Sequence, residues 1–250
     1  MPLLPATLVA PAKLTLHLRV TGRRADGYHD IDAEMVTLDL ADEVVLRAPG
    51  VGGETPFEVV EAKTGLPLDV GPVSTNLVTR ALEHVGVNAG VRVVKRIPPG
   101  AGLGGGSSDA AAVLRWAGAD DLQAAAALGA DVPFCVVGGR ARVRGIGEQV
   151  TPLAFEARQL TLLTPPFGCS TVAVYRAWDD LGGPTATGPN DLEPAALVVE
   201  PRLAEWRDRL GSATGCTPRL AGSGSTWFVD GAFPGDGRVV VRTIPAESRW

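Results

Sequence analysis

Cysteine is scarce in this sequence, and long apolar runs are absent from it. The chain of 250 residues has three cysteines, Cys135, Cys169 and Cys216, which lie far apart and are odd in number. A disulfide framework is therefore not expected, and reduced thiols indicate a cytoplasmic protein. No apolar run approaches the roughly 18 residues that cross a bilayer. Residues 1–8 lack the basic start of a signal peptide, so neither membrane insertion nor secretion is predicted.

Histidine is equally scarce, and positive charge is in deficit. His17, His29 and His84 have no metal-ligand spacing with one another or with the cysteines. The 23 basic and 28 acidic residues give a net charge of -5, which argues against nucleic-acid and anionic-membrane partners. The remaining composition, 45% hydrophobic and 20% charged, is that of a globular protein with one large domain or two small ones.

Glycine is abundant by contrast, and one glycine-rich run organises the chain. Residues 98–109 read Pro-Pro-Gly-Ala-Gly-Leu-Gly-Gly-Gly-Ser-Ser-Asp. Such a run loses much backbone entropy on folding, so we expect it to have a function. Ser107 and Ser108 are expected to cap the helix that follows over residues 109–116. A glycine loop that opens a helix is typical of a phosphate site, because free N–H groups and the helix dipole both favour an anion there.

Three other interpretations of the glycine-rich run are weaker. No Gly-Lys-Ser/Thr follows the glycines, which excludes a Walker A loop. Gly100, Gly102 and Gly105 match the dinucleotide-binding pattern, but Pro98-Pro99 separates them from the preceding strand. The acidic residues Asp120-Asp121 come early for that pattern and stand where a helix is expected to start. A mobile linker stays open as an alternative, although linkers seldom run directly into a capped apolar helix.

The segment from Pro98 to Ser108 resembles the phosphate loop of the GHMP kinases, the family of galactokinase, homoserine kinase and mevalonate kinase. Three further segments resemble other conserved stretches of the family and occur in the family's order. They are Pro11-Ala-Lys-Leu14, Gly129-Ala-Asp-Val-Pro133 and the third family motif, Gly222-Ser-Gly-Ser225. The resemblance covers nearly the whole chain. It implies an ATP-dependent kinase that phosphorylates a small-molecule alcohol.

The resemblance also implies an α/β fold of two domains. Residues 1–152 would form an ATP-binding domain like the second domain of ribosomal protein S5, and residues 153–250 would form a ferredoxin-like domain. ATP and substrate would lie in the cleft between them. Neither the resemblance nor the composition decides between a monomer and a homodimer.

The residues expected to bind ATP lie mostly in the glycine loop. They are Pro98, Gly100, Ala101, Gly102, Leu103, Gly104, Gly105, Gly106, Ser107 and Ser108, together with Asn76 and Lys95. Lys95 has an equally good alternative as a charged strand end. Ser107 or Ser108 would face the Mg²⁺ that accompanies ATP.

Lys13 and Asp131 are expected to be catalytic. Phosphoryl transfer depends on positioning and charge neutralisation, with one carboxylate to orient or deprotonate the attacking hydroxyl. The resemblance assigns that carboxylate to Asp131 and places Lys13 beside it. Thr15 stands where the family usually has Asn, and it would contact the substrate.

A cytidine group is expected on the substrate, because Asp26-Gly-Tyr-His29 and Asn190-Asp-Leu-Glu193 resemble signatures of the branch that acts on a cytidine-diphosphate-linked sugar alcohol. Tyr28, His29 and Tyr175 would hold the cytosine by stacking and hydrogen bonds, and Thr171 would help to close over the substrate. The alternative for these side chains is packing within turns and core. The alternative functions are a GHMP kinase for another alcohol and a catalytically silent nucleotide-binding homologue.

Several structural expectations come from the residue pattern alone. Residues 10–20 alternate as a half-buried strand, with His17 and Arg19 on a solvated face. Residues 74–86 read as a helix capped by Ser74 or Thr75, and residues 42–48 read as a separate strand. Gly138-Gly139 would join two short strands. Arg140, Arg142 and Arg144 share one strand face, either as an anion-facing row or, more often for such a pattern, as a solvated edge.

Overall fold

The computed structural model describes residues 3–246, and its strands form two sheets. The first sheet has six strands: β1 (Ala6–Arg23), β2 (His29–Arg47), β3 (Phe57–Glu61), β4 (Gly90–Lys95), β5 (Arg140–Gly145) and β6 (Gln149–Pro152). The second sheet has four strands: β7 (Gln159–Leu163), β8 (Arg219–Leu220), β9 (Trp227–Asp230) and β10 (Arg238–Arg242). No strand of either sheet crosses the division predicted at residue 152, and the assignment of two domains stays a prediction.

A long hairpin of β1 and β2 forms the base of the first sheet. The two strands pair from Ala6–Leu46 at one end to Arg23–His29 at the other. The opposite edge of β2 pairs with β5 over residues 31–36 and with β4 over residues 43–47. The separate strand expected at residues 42–48 is therefore the last part of β2, which runs from His29 to Arg47 as one strand.

The alternation predicted for β1 is interrupted where Lys13 and Thr15 lie. The register between β1 and β2 shifts after Pro11 and again after Thr15. Such irregularities re-aim side chains in a strand. Lys13 and Thr15 are buried, at 6% and 2% exposure, on a strand whose apolar residues are buried as well.

Seven α-helices pack against the two sheets in residues 3–246: α1 (Leu77–His84), α2 (Gly105–Ala117), α3 (Leu122–Leu128), α4 (Val132–Val137), α5 (Thr171–Asp180), α6 (Glu193–Val199) and α7 (Leu203–Thr214). Single 3-10 turns lie at Val51–Gly53 and Val73–Thr75. The core helix of the first sheet is α2, whose residues from Ser108 to Leu114 are all buried. Across the described range, no helix is both long enough and apolar enough to cross a membrane.

The second sheet has the strand order β10-β7-β9-β8 and is antiparallel throughout. In chain order this is fourth, first, third and second, the order of a ferredoxin-like sheet. Its helices α5, α6 and α7 all lie between the first and second of these strands. Residues 231–237 join β9 to β10 without a helix, so this sheet is a reduced version of that architecture.

Two expectations about local structure are wrong. Asn76 caps α1 and its side chain accepts a hydrogen bond from the Val78 N–H, whereas Ser74 and Thr75 lie in the preceding 3-10 turn. Gly138-Gly139 joins a helix, α4, to β5 rather than two strands. The first of these errors arose because several capping residue types follow one another in the sequence, and propensity does not choose between them.

The arginine row on β5 is solvated at Arg142 and Arg144, as one of the two alternatives expected, but β5 is not a sheet edge. Arg140 pairs with Glu34 at 2.8 Å and also with Glu156. Arg142 and Arg144 both pair with Asp32. Because β6 continues the sheet beyond β5, these arginines form a cross-strand charge ladder with the carboxylates of β2.

Candidate active site

A cleft of about 980 Å³ lies where the glycine loop meets β1, α1, α5 and the turn at Gly222. All but one of the residues that the sequence singled out line it: Lys13, Thr15, Tyr28, His29, Asn76, Lys95, Pro98, Gly100, Ala101, Gly102, Leu103, Gly104, Gly105, Gly106, Ser107, Asp131, Thr171 and Tyr175. The exception is Ser108. Segments more than 150 residues apart in the chain therefore share one cavity.

The centre of the cleft is the pair formed by Lys13 and Asp131. Lys13 Nζ lies 3.1 Å from Asp131 Oδ2 and 3.4 Å from Thr15 Oγ1, to which it donates. The Lys13 backbone N–H donates to Leu103 O at 3.0 Å, which ties the glycine loop to β1. A buried ammonium group thus faces the cleft beside a carboxylate that is only partly buried.

Asp131 is held at the start of α4 by a close backbone approach. It precedes the helix, with Pro133 in the first turn, and its side chain makes no capping hydrogen bond. A methyl group placed on Gly147 would come within 2.0 Å of the Ala130 carbonyl oxygen. Gly147 is therefore required for the backbone to pass this close to Asp131. The carboxylate itself is left free to point into the cleft.

The glycine loop opens α2 with backbone N–H groups directed at the cleft. Gly104 occupies the cap position with φ +67°, and α2 begins at Gly105. The first helical hydrogen bond runs from Ser108 N to Gly104 O at 2.8 Å. The N–H groups of the three residues before Ser108 belong to the unpaired first turn of a helix. With the positive end of the helix dipole, they form an anion-binding surface.

Ser107 and Ser108 have different environments, and neither caps α2. Ser108 is fully buried and its hydroxyl donates to Pro11 O at 2.5 Å, which joins α2 to β1. Its side chain is therefore not available to ATP or Mg²⁺, contrary to expectation. Ser107 lines the cleft. The helix starts four residues earlier than predicted, at Gly105 rather than Asp109, because Gly104, with its left-handed backbone, takes the cap position that a serine was expected to fill.

Lys95 is the centre of a buried cluster at the base of the glycine loop. Its Nζ lies 2.5 Å from Asp42 Oδ2 and 2.7 Å from Asp109 Oδ2. Asp42 Oδ1 also accepts from the backbone N–H groups of Arg96, at 2.5 Å, and Ile97, at 2.8 Å. The cluster therefore joins β2, the end of β4 and the first turns of α2, which fixes both ends of the loop.

Lys95 was expected either to contact ATP or to be a charged strand end, and this geometry corrects both alternatives. It is 7% exposed, so it is not a solvated strand end. Two carboxylates engage its ammonium group, although it still lines the cleft below Gly105. Burial raises the pKa of Asp109 to about 7, opposed by the attraction of Lys95 and reinforced by the negative charge of Asp42. Asp42 and Asp109 were not predicted as site residues. The only signal in the sequence was that a buried lysine needs an anionic partner.

We expect the free energy of unfolding of Asp109→Asn, taken relative to that of the wild type, to be higher at pH 8 than at pH 5. The Asp109 carboxyl ionises near 3.8 when unfolded and near 7 when folded. Unfolding therefore releases a proton between about pH 4 and pH 7, and the wild type loses stability as the pH rises through that window. The amide does not titrate. Urea unfolding at pH 5, 6, 7 and 8 measures the difference, with the exposed Asp120→Asn as control. A difference that stays constant with pH would contradict this assignment.

Aromatic side chains form the far end of the cleft. The rings of His29 and Tyr175 stack with centroids 4.8 Å apart, and Trp178 lies edge-on to His29 at 5.6 Å. His29 Nε2 lies 2.8 Å from Asp179 Oδ1, which orients the imidazole. Burial raises the pKa of the Tyr175 hydroxyl. Because His29 and Tyr175 already contact each other, a base can stack only on the outer face of this pair.

Tyr28 and Thr171 lie at the rim of the cleft. Tyr28 is 60% exposed, which leaves its ring free to contact a ligand. Thr171 begins α5, and its hydroxyl lies 2.9 Å from the Ser223 hydroxyl, so it joins the rim to the turn at Gly222. The alternative for the aromatic residues was that they pack inward. Trp178 is buried and Tyr175 is half-buried, but Tyr28 is exposed.

The turn at Gly222 packs backbone against backbone on the glycine loop. Thr226 N donates to Ala101 O at 3.2 Å. A methyl group on Gly102 would come within 2.5 Å of Gly224 O and 2.7 Å of Ala221 O. The third family motif therefore closes the loop from the side of the second sheet.

Comparison with known proteins places these features in a family. The family model described as "GHMP kinases N terminal domain" matches residues 76–139. A crystal structure titled 4-(cytidine 5'-diphospho)-2C-methyl-D-erythritol kinase has a TM-score of 0.72 and 32% identity, covering 95% of this chain and 99% of its own. Mevalonate kinase from Methanococcus jannaschii has a TM-score of 0.58 at 12% identity, covering 96% and 98%, and shows the shared fold alone.

The fold and the glycine loop are those of a GHMP kinase, an ATP-dependent kinase for small molecules. The 4-diphosphocytidyl-2-C-methyl-D-erythritol kinase of Paracoccus denitrificans is 40% identical over 240 residues, covering 88% of this chain and 84% of the relative. The chain belongs to the 4-diphosphocytidyl-2-C-methyl-D-erythritol kinase family.

Proposed function

We propose that the protein transfers the γ-phosphoryl group of ATP to the 2-hydroxyl of 4-diphosphocytidyl-2-C-methyl-D-erythritol, a step in making isoprenoid precursors. One observation carries the proposal. The Lys13–Asp131 pair lies in a single cleft with an anion-binding helix start on one side and an aromatic cluster on the other. This arrangement suits a substrate that brings a hydroxyl to the pair while a flat base contacts the aromatic residues.

Asp131 accepts or orients the proton of the attacking hydroxyl. The hydroxyl oxygen forms its bond to the γ-phosphorus as the bond to the bridging oxygen of ADP breaks. Lys13, 3.1 Å from Asp131, is placed to neutralise charge on the transferred group. Thr15 holds Lys13 through its hydroxyl at 3.4 Å, so its first role is to orient the lysine rather than to contact substrate.

The phosphates of ATP bind at the start of α2. Glycines at 104, 105 and 106 let the phosphates approach the backbone closely. Mg²⁺ usually takes one or two protein ligands and completes its shell with phosphate oxygens and water. The described residues contain no group of three or more metal-ligating side chains, which fits an ion held mainly by ATP. Ser107, on the cleft wall, would supply the protein ligand, and the ion would neutralise phosphate charge.

The cytosine ring binds at the aromatic end. It would lie between the exposed ring of Tyr28 and the outer face of the His29–Tyr175 pair. Hydrogen bonds between the edge of the base and polar groups at and beside His29 would select a pyrimidine. Two further expectations remain predictions: a monomeric or homodimeric state, and a cytoplasmic location.

The direct test is ADP release with MgATP and 4-diphosphocytidyl-2-C-methyl-D-erythritol, run beside homoserine, mevalonate and galactose. We expect turnover of the cytidyl substrate alone. Turnover of another alcohol would keep the kinase chemistry and overturn the assignment of the aromatic end. Binding of ATP without turnover of any of the four would overturn the proposal.

We expect Tyr28→Ala to raise KM for the cytidyl substrate by roughly fivefold to a hundredfold, since stacking on a base contributes about 1–3 kcal/mol. KM for ATP and the melting temperature should not change, because the side chain is largely exposed. Leu66→Ala is a matched control, since Leu66 is 64% exposed and does not line the cleft. Equal KM values in the two variants would show that Tyr28 does not contact the base.

A further inference from the structure

The segment Pro189–Asp191 connects β1 to the second sheet at the edge of the cleft. Leu18 N donates to Pro189 O at 2.9 Å, and Asp191 N donates to Leu18 O at 3.0 Å. These two bonds form a parallel bridge between Leu18 and Asn190. The segment thus lies along the strand that carries Lys13, which stands five residues before Leu18.

Asp191 fixes this segment to β1. Its side chain, on a residue 1% exposed, accepts from Arg19 Nη1 at 2.7 Å, from Val20 N at 3.0 Å and from Ala186 N at 2.9 Å. The solvated face predicted for Arg19 is therefore wrong. An acidic residue that follows it by 172 positions holds its guanidinium group.

Asn190 reaches in the other direction, to the turn at Gly222. The residue is 3% exposed, and its side-chain NH₂ donates to Gly222 O at 2.7 Å and to Leu220 O at 3.0 Å. Its side-chain oxygen accepts from Leu192 N at 2.9 Å. Both amide hydrogens and the oxygen are thus used, which fixes the orientation of this side chain.

The turn that Asn190 holds faces the Lys13 ammonium group. A methyl group placed on Gly222 would lie 3.9 Å from Lys13 Nζ and 3.7 Å from Thr15 Oγ1. Asn190 therefore lies between two partners. The backbone groups of its neighbours, Pro189 and Asp191, hold it to the strand that carries Lys13, and its own side chain holds the Gly222 turn. A shift of the Gly222 turn changes the gap in which phosphoryl transfer would take place.

We propose that Asn190 is a positioning residue for the transfer step: its amide sets the distance between the Gly222–Ser223 turn and Lys13. The proposal rests on the kinase function proposed above. Asn190 touches neither nucleotide nor alcohol in this account, and it acts through the turn. Displacement of a positioned group by about 1 Å can lower a rate about a hundredfold.

The test compares Asn190→Asp with Asp191→Asn. The first variant replaces an NH₂ donor by a carboxylate oxygen that faces two carbonyl oxygens, so the turn must move. The second weakens the contact to β1 and leaves the contacts to the turn. We expect kcat of Asn190→Asp to fall by roughly tenfold to a hundredfold, with KM for the cytidyl substrate within about twofold of wild type. Asp191→Asn should keep kcat within about threefold per folded molecule.

Hydrogen exchange of the backbone amides tests the same inference without substrate. Amides of residues 221–226 should exchange at least about tenfold faster in Asn190→Asp than in Asp191→Asn, because the turn loses its buried anchor. If Asn190→Asp does not fold, Asn190→Ser takes its place, because it removes both amide N–H donors and the length to reach the turn without adding a charge. Unchanged exchange in the turn, or equal kcat losses in both variants, would overturn the inference. An inactive wild type would instead refute the proposed function, and the exchange comparison would still decide the role of Asn190.

Discussion

Asp131→Asn is expected to lower kcat by about 10²–10⁴-fold, the range lost when a positioned acid–base group is removed. Asp131 Oδ2 lies 3.1 Å from Lys13 Nζ, and its side chain does not cap α4. The substitution therefore removes a charge from the cleft without breaking a hydrogen bond of the backbone. Because Lys13 loses its carboxylate partner, a moderate fall in melting temperature is expected as well.

The size of the loss separates two roles for Asp131. An amide keeps an oxygen that can accept a hydrogen bond from the substrate hydroxyl, but it cannot take the proton. If Asp131 only orients the hydroxyl, Asp131→Asn should retain far more activity than Asp131→Ala. If it is a general base, the two variants should be equally slow. Steady-state ADP release with both substrates saturating measures this, with Asp120→Asn as the exposed control.

A double-mutant cycle with Lys13→Met tests whether the two residues act as one unit. The side chains are in contact, so their effects should not be additive. We expect the double variant to be little slower than the slower single variant. An Asp131→Ala enzyme that kept more than about a tenth of wild-type kcat would contradict a direct role for this carboxylate in the transfer.

The local motifs of the site could be predicted because each is contiguous in the chain. The glycine loop, the Lys13 segment and the Asp131 segment carry their chemistry within a dozen residues or fewer, and their residues line the cleft. Local pattern does not predict which side chain of a helix faces the cleft. Ser107 and Ser108 look equivalent in sequence, yet one faces the cleft and the other bonds to Pro11 O, because the helix begins at Gly105.

The supporting contacts could not be predicted, because they join residues far apart in the chain. Asp42 meets Lys95 and Asp109 only once β2, β4 and α2 are packed together. Asp191 meets Arg19 across 172 positions. A buried charge requires a partner, so the sequence can indicate that one exists. The register of the sheets decides which carboxylate pairs with the buried charge. No pattern of neighbouring residues contains that information.

Gly102→Ala is expected to lower the free energy of unfolding by roughly 2–5 kcal/mol and to reduce kcat/KM for ATP by more than about a hundredfold. Two effects add. The backbone at Gly102 has φ +77°, a left-handed conformation that costs an L-residue about 1–2 kcal/mol. The new methyl group would also lie 2.5 Å from Gly224 O, closer than van der Waals contact allows. Either the phosphate loop or the third motif must then move.

Two alanine controls separate strain from collision in the Gly102 variant. Gly118 has a similar φ of +72°, but a methyl group there would meet nothing within 4 Å. Gly118→Ala should therefore show the backbone cost alone, about 1–2 kcal/mol, with activity retained. Gly106 has no positive φ, and its methyl group would meet only Leu77 at 3.9 Å. Gly106→Ala should not lower stability, since alanine is the better helix former.

Urea unfolding and ATP titration of the three alanine variants give the comparison. If Gly102→Ala loses no more stability than Gly118→Ala, the backbone contact between the loop and the third motif is looser than the structure has it. If it loses stability but keeps kcat/KM for ATP, the contact joins the two sheets without shaping the phosphate site. The expected result is loss of both, because Ala101 and Gly102 place the loop while Ala221 and Gly224 limit where it can go. The phosphate site would then depend on the second sheet as much as on the first.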